Sequence, residues 1–167
     1  MLEVVVNDVN DASRLKGPEG NSLLLDDQLC LALHTAARAI ARVYMETLRH
    51  AGLTYPQYLV LLCLLERDGL TVREIGERLE LDSGTLTPLI KRLETNSVVK
   101  RKRASDDERM VQIWLTDKGR SLRDLALRAR QHVVTKLDMS NQDISSLRKE
   151  LRRLTHRLKS PSGDSVS

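Results

Sequence analysis

Residues 71–115 contain two short helical segments followed by two strand-like segments, and this order constrains the fold more than any other feature. Thr71 and Glu74 are spaced as a capping box, and the apolar positions that follow predict a helix of about two turns. After a tight turn, Asp82 or Ser83 can cap the next helix. The runs VVKRKR and MVQIWL, joined by the polar sequence ASDDER, predict a β-hairpin. The segment therefore predicts two helices joined by a turn, with a hairpin directly behind them.

The composition favours helices in the rest of the chain. The 167 residues include no Phe, one Trp and three Tyr, although 41% of the residues are hydrophobic. The core is therefore aliphatic, which suits helices packed on helices better than an all-β sandwich. The length fits one cooperative unit or a small symmetric subunit. We predict an α-dominated (α+β) fold.

Two longer helices are predicted before this segment. Apolar residues recur every three or four positions over residues 25–48, and Gly52 ends that amphipathic helix. The next helix begins near Tyr55 and Pro56 and includes LVLLCLLE, which is apolar on all sides and predicts a buried central helix. In the helix predicted to follow Asp82 or Ser83, Pro88 is expected to bend the helix or to restrict it to its first turns.

The carboxyl-terminal part predicts two more helices and a dimer. Thr116 opens one helix that reaches residue 137, and Ser140 with Asp143 forms a second capping box. Between Ile144 and Leu158, apolar residues are spaced by three, four, three and four positions, which is a narrow heptad-like stripe that needs another helix. We therefore expect the first, fifth and sixth predicted helices to form a homodimer interface.

A helix-turn-helix followed by a hairpin is a winged helix-turn-helix, whose second helix enters the major groove of DNA. Ser83, Thr85 and Thr87 can bond phosphates or base edges, and Lys91 and Arg92 can neutralise phosphates. The alternative is that these residues only form the solvated face of an amphipathic helix. The hairpin in the correct place favours DNA binding.

The hairpin carries charged residues at its tip. The basic residues 100–103 precede an acidic cluster at 106–108, and Arg109 follows it. An arginine at the tip of a wing can enter a narrow minor groove, and Asp107 could orient that guanidinium by an ion pair. The alternative is an exposed charge cluster that contributes little. A net charge of +4 permits a nucleic acid partner without requiring one.

The chain is expected to be divided into three parts. The Asn/Asp-rich start and the sequence GPEG break every periodicity. The predicted parts are a flexible arm (1–22), a winged helix-turn-helix domain (23–159) with dimerisation helices (23–52 and 116–159) around a DNA-binding lobe (53–115), and a disordered tail (160–167). The start MLEVVVNDVND is unlike a signal peptide, and the longest apolar run, residues 59–65, is too short to span a bilayer. We expect a cytoplasmic protein with no membrane contact.

Four stretches of the sequence resemble one family of regulators. The four stretches are LDDQLC, LTYPQYLVLL, LTVREIGERLELDSGTLTPLIKRLE and DDERMVQIWLTDKG. The resemblance covers residues 25–158. They are similar to the multiple antibiotic resistance regulator (MarR) family and, within it, to organic hydroperoxide resistance regulators. The resemblance implies a homodimeric repressor that reads a pseudo-palindromic operator in double-stranded DNA. The positions that match its DNA-binding residues are Ser83, Gly84, Thr85, Thr87, Pro88, Lys91, Asp107 and Arg109.

The resemblance also assigns a redox site. Cys30 matches the peroxide-sensing cysteine, and Tyr44 and Tyr55 match the tyrosines that hydrogen-bond it. The helix dipole near Cys30 favours a thiolate, although two aspartates just before it oppose this effect. By itself, a lone helical cysteine is more commonly core filler. Cys63, within the apolar helix, is predicted to be core filler as well.

Two consequences follow for the sensor. No second cysteine lies near the fifth predicted helix, so oxidised Cys30 would need a small-molecule thiol or further oxidation to complete the response. Cys30 and Tyr44 are 14 residues apart in one helix, which corresponds to about 21 Å along its axis. Tyr44, and Tyr55 with it, would therefore reach Cys30 from the other subunit.

Two other classes of protein could account for some of the same residues. The sequence contains no GxxxxGK[ST] or GxSxG motif, and its four histidines are scattered without metal-ligand spacing, so no enzyme, cofactor or metal is predicted. A thiol peroxidase would need a resolving thiol and would leave the DNA-binding residues unexplained. The nearer alternative is a repressor released by a small aromatic ligand, with Cys30 incidental.

Overall fold

A computed structural model describes residues 15–18, 21–103 and 111–160. The chain divides into two compact units, residues 1–42 and residues 43–167. The helices and strands are α1 (Leu29–Leu48), α2 (Tyr55–Glu66), β1 (Leu70–Thr71), α3 (Val72–Leu79), α4 (Ser83–Thr95), β2 (Val99–Arg103), β3 (Val111–Leu115), α5 (Asp117–Ser121), α6 (Arg123–Leu137) and α7 (Asn141–Lys159). The α-dominated winged helix-turn-helix fold is therefore confirmed.

In the first unit, a short turn leads into α1. The side chain of Gln28 donates hydrogen bonds to the carbonyl oxygens of Ser22, at 2.7 Å, and Leu24, at 2.9 Å. These two bonds close the 3-10 turn Leu25–Asp27 onto the segment before it. Cys30 is the second residue of the helix that begins directly after this turn.

The second unit is built around α2, as the apolar run predicted. Its first turn has Thr54 as N-cap and Pro56 within the turn, and Gly52 precedes it in the left-handed conformation with φ 66°. Leu61 and Leu64 are fully buried with the other core residues. Leu62 remains exposed, so the helix is not buried on every side.

The turn between α3 and α4 depends on close backbone packing. The capping box of Thr71 and Glu74 is confirmed at the start of α3. At its end, Glu80 takes the left-handed conformation with φ 56°, and the Leu81 amide donates to the Gly76 carbonyl at 3.0 Å. A Cβ at Gly76 would lie 2.7 Å from the Leu81 carbonyl oxygen. Glycine is therefore required for this tight turn.

Asp82, and not Ser83, is the N-cap of α4, since its carboxylate accepts a hydrogen bond from the Thr85 amide at 2.9 Å. The helix continues past Pro88 to Thr95, so the proline does not restrict it. Pro88 has no amide hydrogen to donate within the helix, and the buried side chains of α4 pack the turns around it against the core.

The predicted hairpin is confirmed and is part of a larger sheet. The three antiparallel strands have the order β1-β3-β2, with Val99 opposite Leu115 and Leu70 opposite Ile113. Strand β1 was not predicted, because two residues are too few for a periodicity. The hairpin tip, including Asp107 and Arg109, lies outside the described residues, as do residues 1–14, 19–20 and 161–167.

The single helix predicted after Thr116 is wrong, because the chain forms two helices there. Helix α5 ends at Ser121, and the Leu122 amide bonds back to the Gly119 carbonyl at 3.2 Å before α6 begins. A Cβ at Gly119 would lie 2.1 Å from the Val98 carbonyl oxygen. Helix α5 is therefore packed against the base of the hairpin, and the chain turns at Leu122 to continue as α6.

Helix α7 has the predicted N-cap residue but only half of the predicted capping box. Ser140 is its N-cap and accepts the Asp143 amide hydrogen bond. The Asp143 carboxylate, however, accepts the Ser140 hydroxyl at 2.6 Å instead of the backbone amide of the cap, so the reciprocal half of the box is not formed. An aspartate is one methylene shorter than the glutamate that usually completes this box. No residue of α7 is buried.

Candidate DNA-binding surface and redox site

Helix α4 presents one polar, exposed side and one buried side. Leu86, Ile90 and Leu93 are fully buried in the core of the second unit. The six predicted DNA-binding residues of this helix are all exposed: Ser83, Gly84, Thr85, Thr87, Pro88 and Lys91. The fold therefore brings the predicted residues of the recognition helix together on a solvent-accessible surface.

The two threonines of this surface are already oriented within the helix. The Thr85 hydroxyl donates to the Asp82 carboxylate at 2.8 Å, and the Thr87 hydroxyl donates to the Ser83 carbonyl at 2.7 Å. The hydroxyl and amide of Thr85 lower the pKa of Asp82, so this carboxyl group remains ionised at neutral pH. Each hydroxyl oxygen keeps acceptor capacity for a base amino group, and the methyl groups can contact thymine.

The basic strand β2 has different partners on its two faces. Lys102 lies over the Trp114 ring, with its nitrogen 5.3 Å from the ring centroid. On the other face, Arg101 forms an ion pair with Glu94 of α4 at 3.1 Å. This pair connects the hairpin to the helix that would enter the groove. Lys100 and Arg103 are exposed at the same strand and can neutralise phosphates.

The two cysteines differ in accessibility. Cys30 is exposed at the start of α1, whereas Cys63 is 4% exposed within α2. Burial raises the pKa of the Cys63 thiol, which disfavours the thiolate form that reacts with oxidants. The prediction that Cys63 fills the core is confirmed.

Tyr44 and Tyr55 are brought together, and a third tyrosine joins them. The ring centroids of Tyr44 and Tyr55 are 5.2 Å apart, and Tyr58 lies 5.0 Å from Tyr44 and is 1% exposed. Burial raises the pKa of Tyr55 and of Tyr58, so both phenols remain hydrogen-bond donors at neutral pH. The sequence interpretation missed Tyr58, although its spacing of three residues from Tyr55 places both on one helix face.

The described residues contain no group of three His, Cys, Asp or Glu side chains arranged to hold a metal ion. None of the helices in the described ranges is both long and apolar enough to cross a membrane.

Two helices around a tight turn, an exposed polar helix surface and a basic hairpin define a regulator of the winged helix-turn-helix class. The family model for the transcriptional regulator SarA/Rot matches residues 42–125. The chain is 40% identical to the organic hydroperoxide resistance transcriptional regulator of Bacillus subtilis, over 80% of this chain and 91% of that protein. The protein therefore belongs to the SarA/Rot family of transcriptional regulators.

Other relatives agree with this assignment. The HTH-type transcriptional regulator TtmR of Methylorubrum extorquens is 62% identical over 59% of this chain, and the match spans about half (51%) of that protein. The solved structure of reduced AbfR bound to DNA has a TM-score of 0.67 at 36% identity, and covers 80% of this chain and 93% of that one. AbfR, from Staphylococcus epidermidis, is also solved in a disulfide form, with a TM-score of 0.58, 37% identity, and 78% and 92% coverage.

Proposed function

We propose that this protein is a peroxide-sensing transcriptional repressor that leaves its operator when an organic hydroperoxide oxidises Cys30. The observation that carries the proposal is the contrast between the two thiols. Cys30 is exposed at the start of a helix, whereas Cys63 is buried within the core. The similarity to the Bacillus subtilis regulator supports the same chemistry.

In the reduced state the protein binds double-stranded DNA through α4 and the hairpin. Ser83, Thr85 and Thr87 contact base edges or phosphates, Lys91 neutralises a phosphate, and Gly84 and Pro88 shape the surface of the helix. Arg109 enters the minor groove, and Asp107 orients its guanidinium. The exposure of the α4 residues supports this assignment.

The DNA-binding unit is a homodimer. In the single chain, Leu147 is 51% exposed and Leu158 is 79% exposed, although both belong to the apolar stripe of α7. Such a stripe on a long helix is stabilised when a second subunit covers it. A two-fold dimer presents two copies of α4 to a pseudo-palindromic operator whose half-site centres lie about 34–36 Å apart.

The redox step needs only the hydroperoxide and a small thiol. The Cys30 thiolate attacks the O–O bond, which forms a sulfenic acid and releases the alcohol of the hydroperoxide. A small-molecule thiol then displaces water from the sulfenic acid and forms a mixed disulfide with Cys30. Cys63 does not serve as the resolving thiol, because it is buried and its pKa is raised.

The response reaches the DNA-binding lobes through the tyrosines. We place the Cys30 sulfur beside Tyr44 and Tyr55 of the other subunit, because the helix spacing separates Cys30 from Tyr44 of its own subunit by about 21 Å. An adduct on Cys30 breaks these hydrogen bonds and displaces the partner subunit. The packing of Tyr44 against Tyr55 supports a shared role.

In this proposal the protein acts in the cytoplasm. It is not an enzyme, since the oxidation of Cys30 is stoichiometric and the relatives are transcriptional regulators. The decisive experiment is a DNA-binding titration with and without an organic hydroperoxide, using wild type and Cys30→Ser. We expect peroxide to release the wild type only. Release of both proteins would contradict thiol sensing, and release by small aromatic compounds without oxidation would favour a ligand-controlled repressor.

A further inference from the structure

The carboxylate of Asp68 extends the sheet beyond the end of β1. One of its oxygens accepts hydrogen bonds from the Gly69 amide, at 3.1 Å, and from the Leu115 amide, at 2.8 Å. Leu115 is the last residue of the central strand β3, and the backbone of β1 begins only at Leu70. The side chain of Asp68 therefore supplies the acceptor that the short strand lacks at this position.

Arg120 completes the same connection from α5. Its guanidinium donates one hydrogen bond to the second Asp68 oxygen, at 2.5 Å, and one to the Leu115 carbonyl, at 3.2 Å. Both polar backbone atoms of Leu115 are thus bonded to this pair. The Asp68 side chain is 19% exposed and the Arg120 side chain 53% exposed, so the pair is shielded from water mainly at its carboxylate end.

Helix α5 is also bonded to the turn that follows α4. The Thr116 hydroxyl donates to the Ser97 carbonyl at 2.6 Å, and the Lys118 ammonium donates to the Asn96 carbonyl at 2.9 Å. Asn96 is the C-cap of α4. Helix α5 therefore connects the end of the recognition helix to the base of the hairpin, and the chain continues from it into α6.

Building on the proposed function, we propose that Asp68 and Arg120 are positioning residues for DNA binding. They hold the base of the hairpin at a fixed angle to α4 and do not themselves contact DNA. Operator recognition needs α4 in the major groove and the hairpin tip in the minor groove at the same time, so a loose base weakens specific binding. Binding to random-sequence DNA, which depends mainly on charge, is affected less.

The test compares four single variants and one double variant on an operator fragment selected in vitro with the wild-type protein. The variants Asp68→Asn and Arg120→Gln remove the pair. The matched controls Asp124→Asn and Arg128→Gln make the same charge changes at exposed positions of α6. The dissociation constant is measured across a series of salt concentrations, on the operator and on random-sequence DNA, after circular dichroism and light scattering have confirmed folded dimers.

Asp68→Asn gives a result whose direction separates two explanations. Removing a negative charge would strengthen the attraction to phosphates if only electrostatics mattered. A positioning role instead predicts operator binding weaker by about tenfold, a loss of about 1.4 kcal/mol, with nearly unchanged binding to random DNA. Tighter binding of Asp68→Asn to the operator would overturn the proposal.

For Arg120→Gln we expect a similar loss and the salt dependence of the wild type. A phosphate-contacting arginine would instead lower the salt slope by about one, and that result would also overturn the proposal. The double variant is expected to be no weaker than either single variant, because both remove one connection. If Arg120→Gln does not fold, Arg120→Lys keeps the charge but cannot bridge both acceptors, and it should show the same selective loss.

The outcomes also separate this inference from the proposed function. If the wild type selects no operator, the proposed function fails. If the wild type binds its operator and the Asp68 and Arg120 variants bind equally well, only the positioning role fails.

Discussion

The aromatic rings of Tyr44 and Tyr55 lie 5.2 Å apart, centroid to centroid, at a tilt of 35°. Tyr44 is near the end of α1 and Tyr55 is the first residue of α2, so the short connection between these helices places them together. Their contact orients two phenols in one small region. A thiolate that accepted hydrogen bonds from both would be stabilised by each.

This relationship predicts that Tyr44→Phe and Tyr55→Phe each slow the reaction of Cys30 with an organic hydroperoxide. The rate should fall by about tenfold, because each variant removes one hydrogen bond to the charged thiolate. Stopped-flow measurement of thiol loss checks the rates. Tyr58→Phe is the matched control, because Tyr58 packs in the same cluster but has no assigned contact with Cys30, and it should react at nearly the rate of the wild type. Wild-type rates in all three variants would contradict the tyrosine assignment.

The second prediction concerns the two thiols. Cys30→Ser should remain bound to DNA in the presence of hydroperoxide, whereas Cys63→Ser should still be released. Because burial raises the pKa of Cys63, its thiolate is scarce at neutral pH, and an alkylating reagent should modify Cys30 first. Mass spectrometry of the oxidised protein locates the modification. An adduct on Cys63, or a disulfide between Cys30 and Cys63, would show that a different scheme operates.

The third prediction concerns the hairpin tip. Arg109→Ala should weaken operator binding and lower the slope of log affinity against log salt by about one, since one fewer cation displaces counterions from the DNA. Titrations at several salt concentrations measure both effects. The control Arg128→Ala removes the same charge from an exposed position on α6 and should leave the slope unchanged. An unaltered slope for Arg109→Ala would mean that this residue belongs to an exposed charge cluster.

The fourth prediction concerns the dimer. Removing residues 140–159 should give a monomer without specific DNA affinity, and the double variant Leu147→Lys, Leu151→Lys should have the same effect, because it places two charges in the apolar stripe of α7. Light scattering measures the mass in solution. Gln142→Lys, at an exposed position on the opposite side of the same helix, is the control and should remain dimeric. Tight operator binding by the truncated chain would refute the assignment of α7 to the interface.

The fifth prediction concerns the turn between α3 and α4. Gly76→Ala should lower the free energy of unfolding by about 1–3 kcal/mol, because a Cβ there collides with backbone that cannot move easily. In Gly52→Ala the new Cβ meets no atom within 4 Å and only the positive φ is unfavourable, so the expected loss is about 1 kcal/mol. Urea denaturation compares the two variants. A smaller loss for Gly76→Ala than for Gly52→Ala would contradict this account of the turn.

Features that depend on neighbouring residues were predictable from the sequence. Thr71 caps α3 through Glu74, three residues away, and Asp82 caps α4 through Thr85. The hairpin was predictable for the same reason, since its two strands flank one polar loop. Hydrogen bonds and periodicities within a few residues leave a direct pattern in the amino-acid order.

The tertiary structure decided the features that join distant residues. Strand β1 exists only because β3 pairs with it, and α5 separates from α6 because Gly119 packs against the Val98 carbonyl, 21 residues earlier in the chain. Arg120 meets Asp68 across 52 residues. Such contacts leave no periodicity in the sequence, because they depend on how the chain packs as a whole and on which backbone groups remain unpaired when it does. The sequence by itself determined where the helices begin and which residues face solvent on α4, and packing determined how the hairpin is held against that helix.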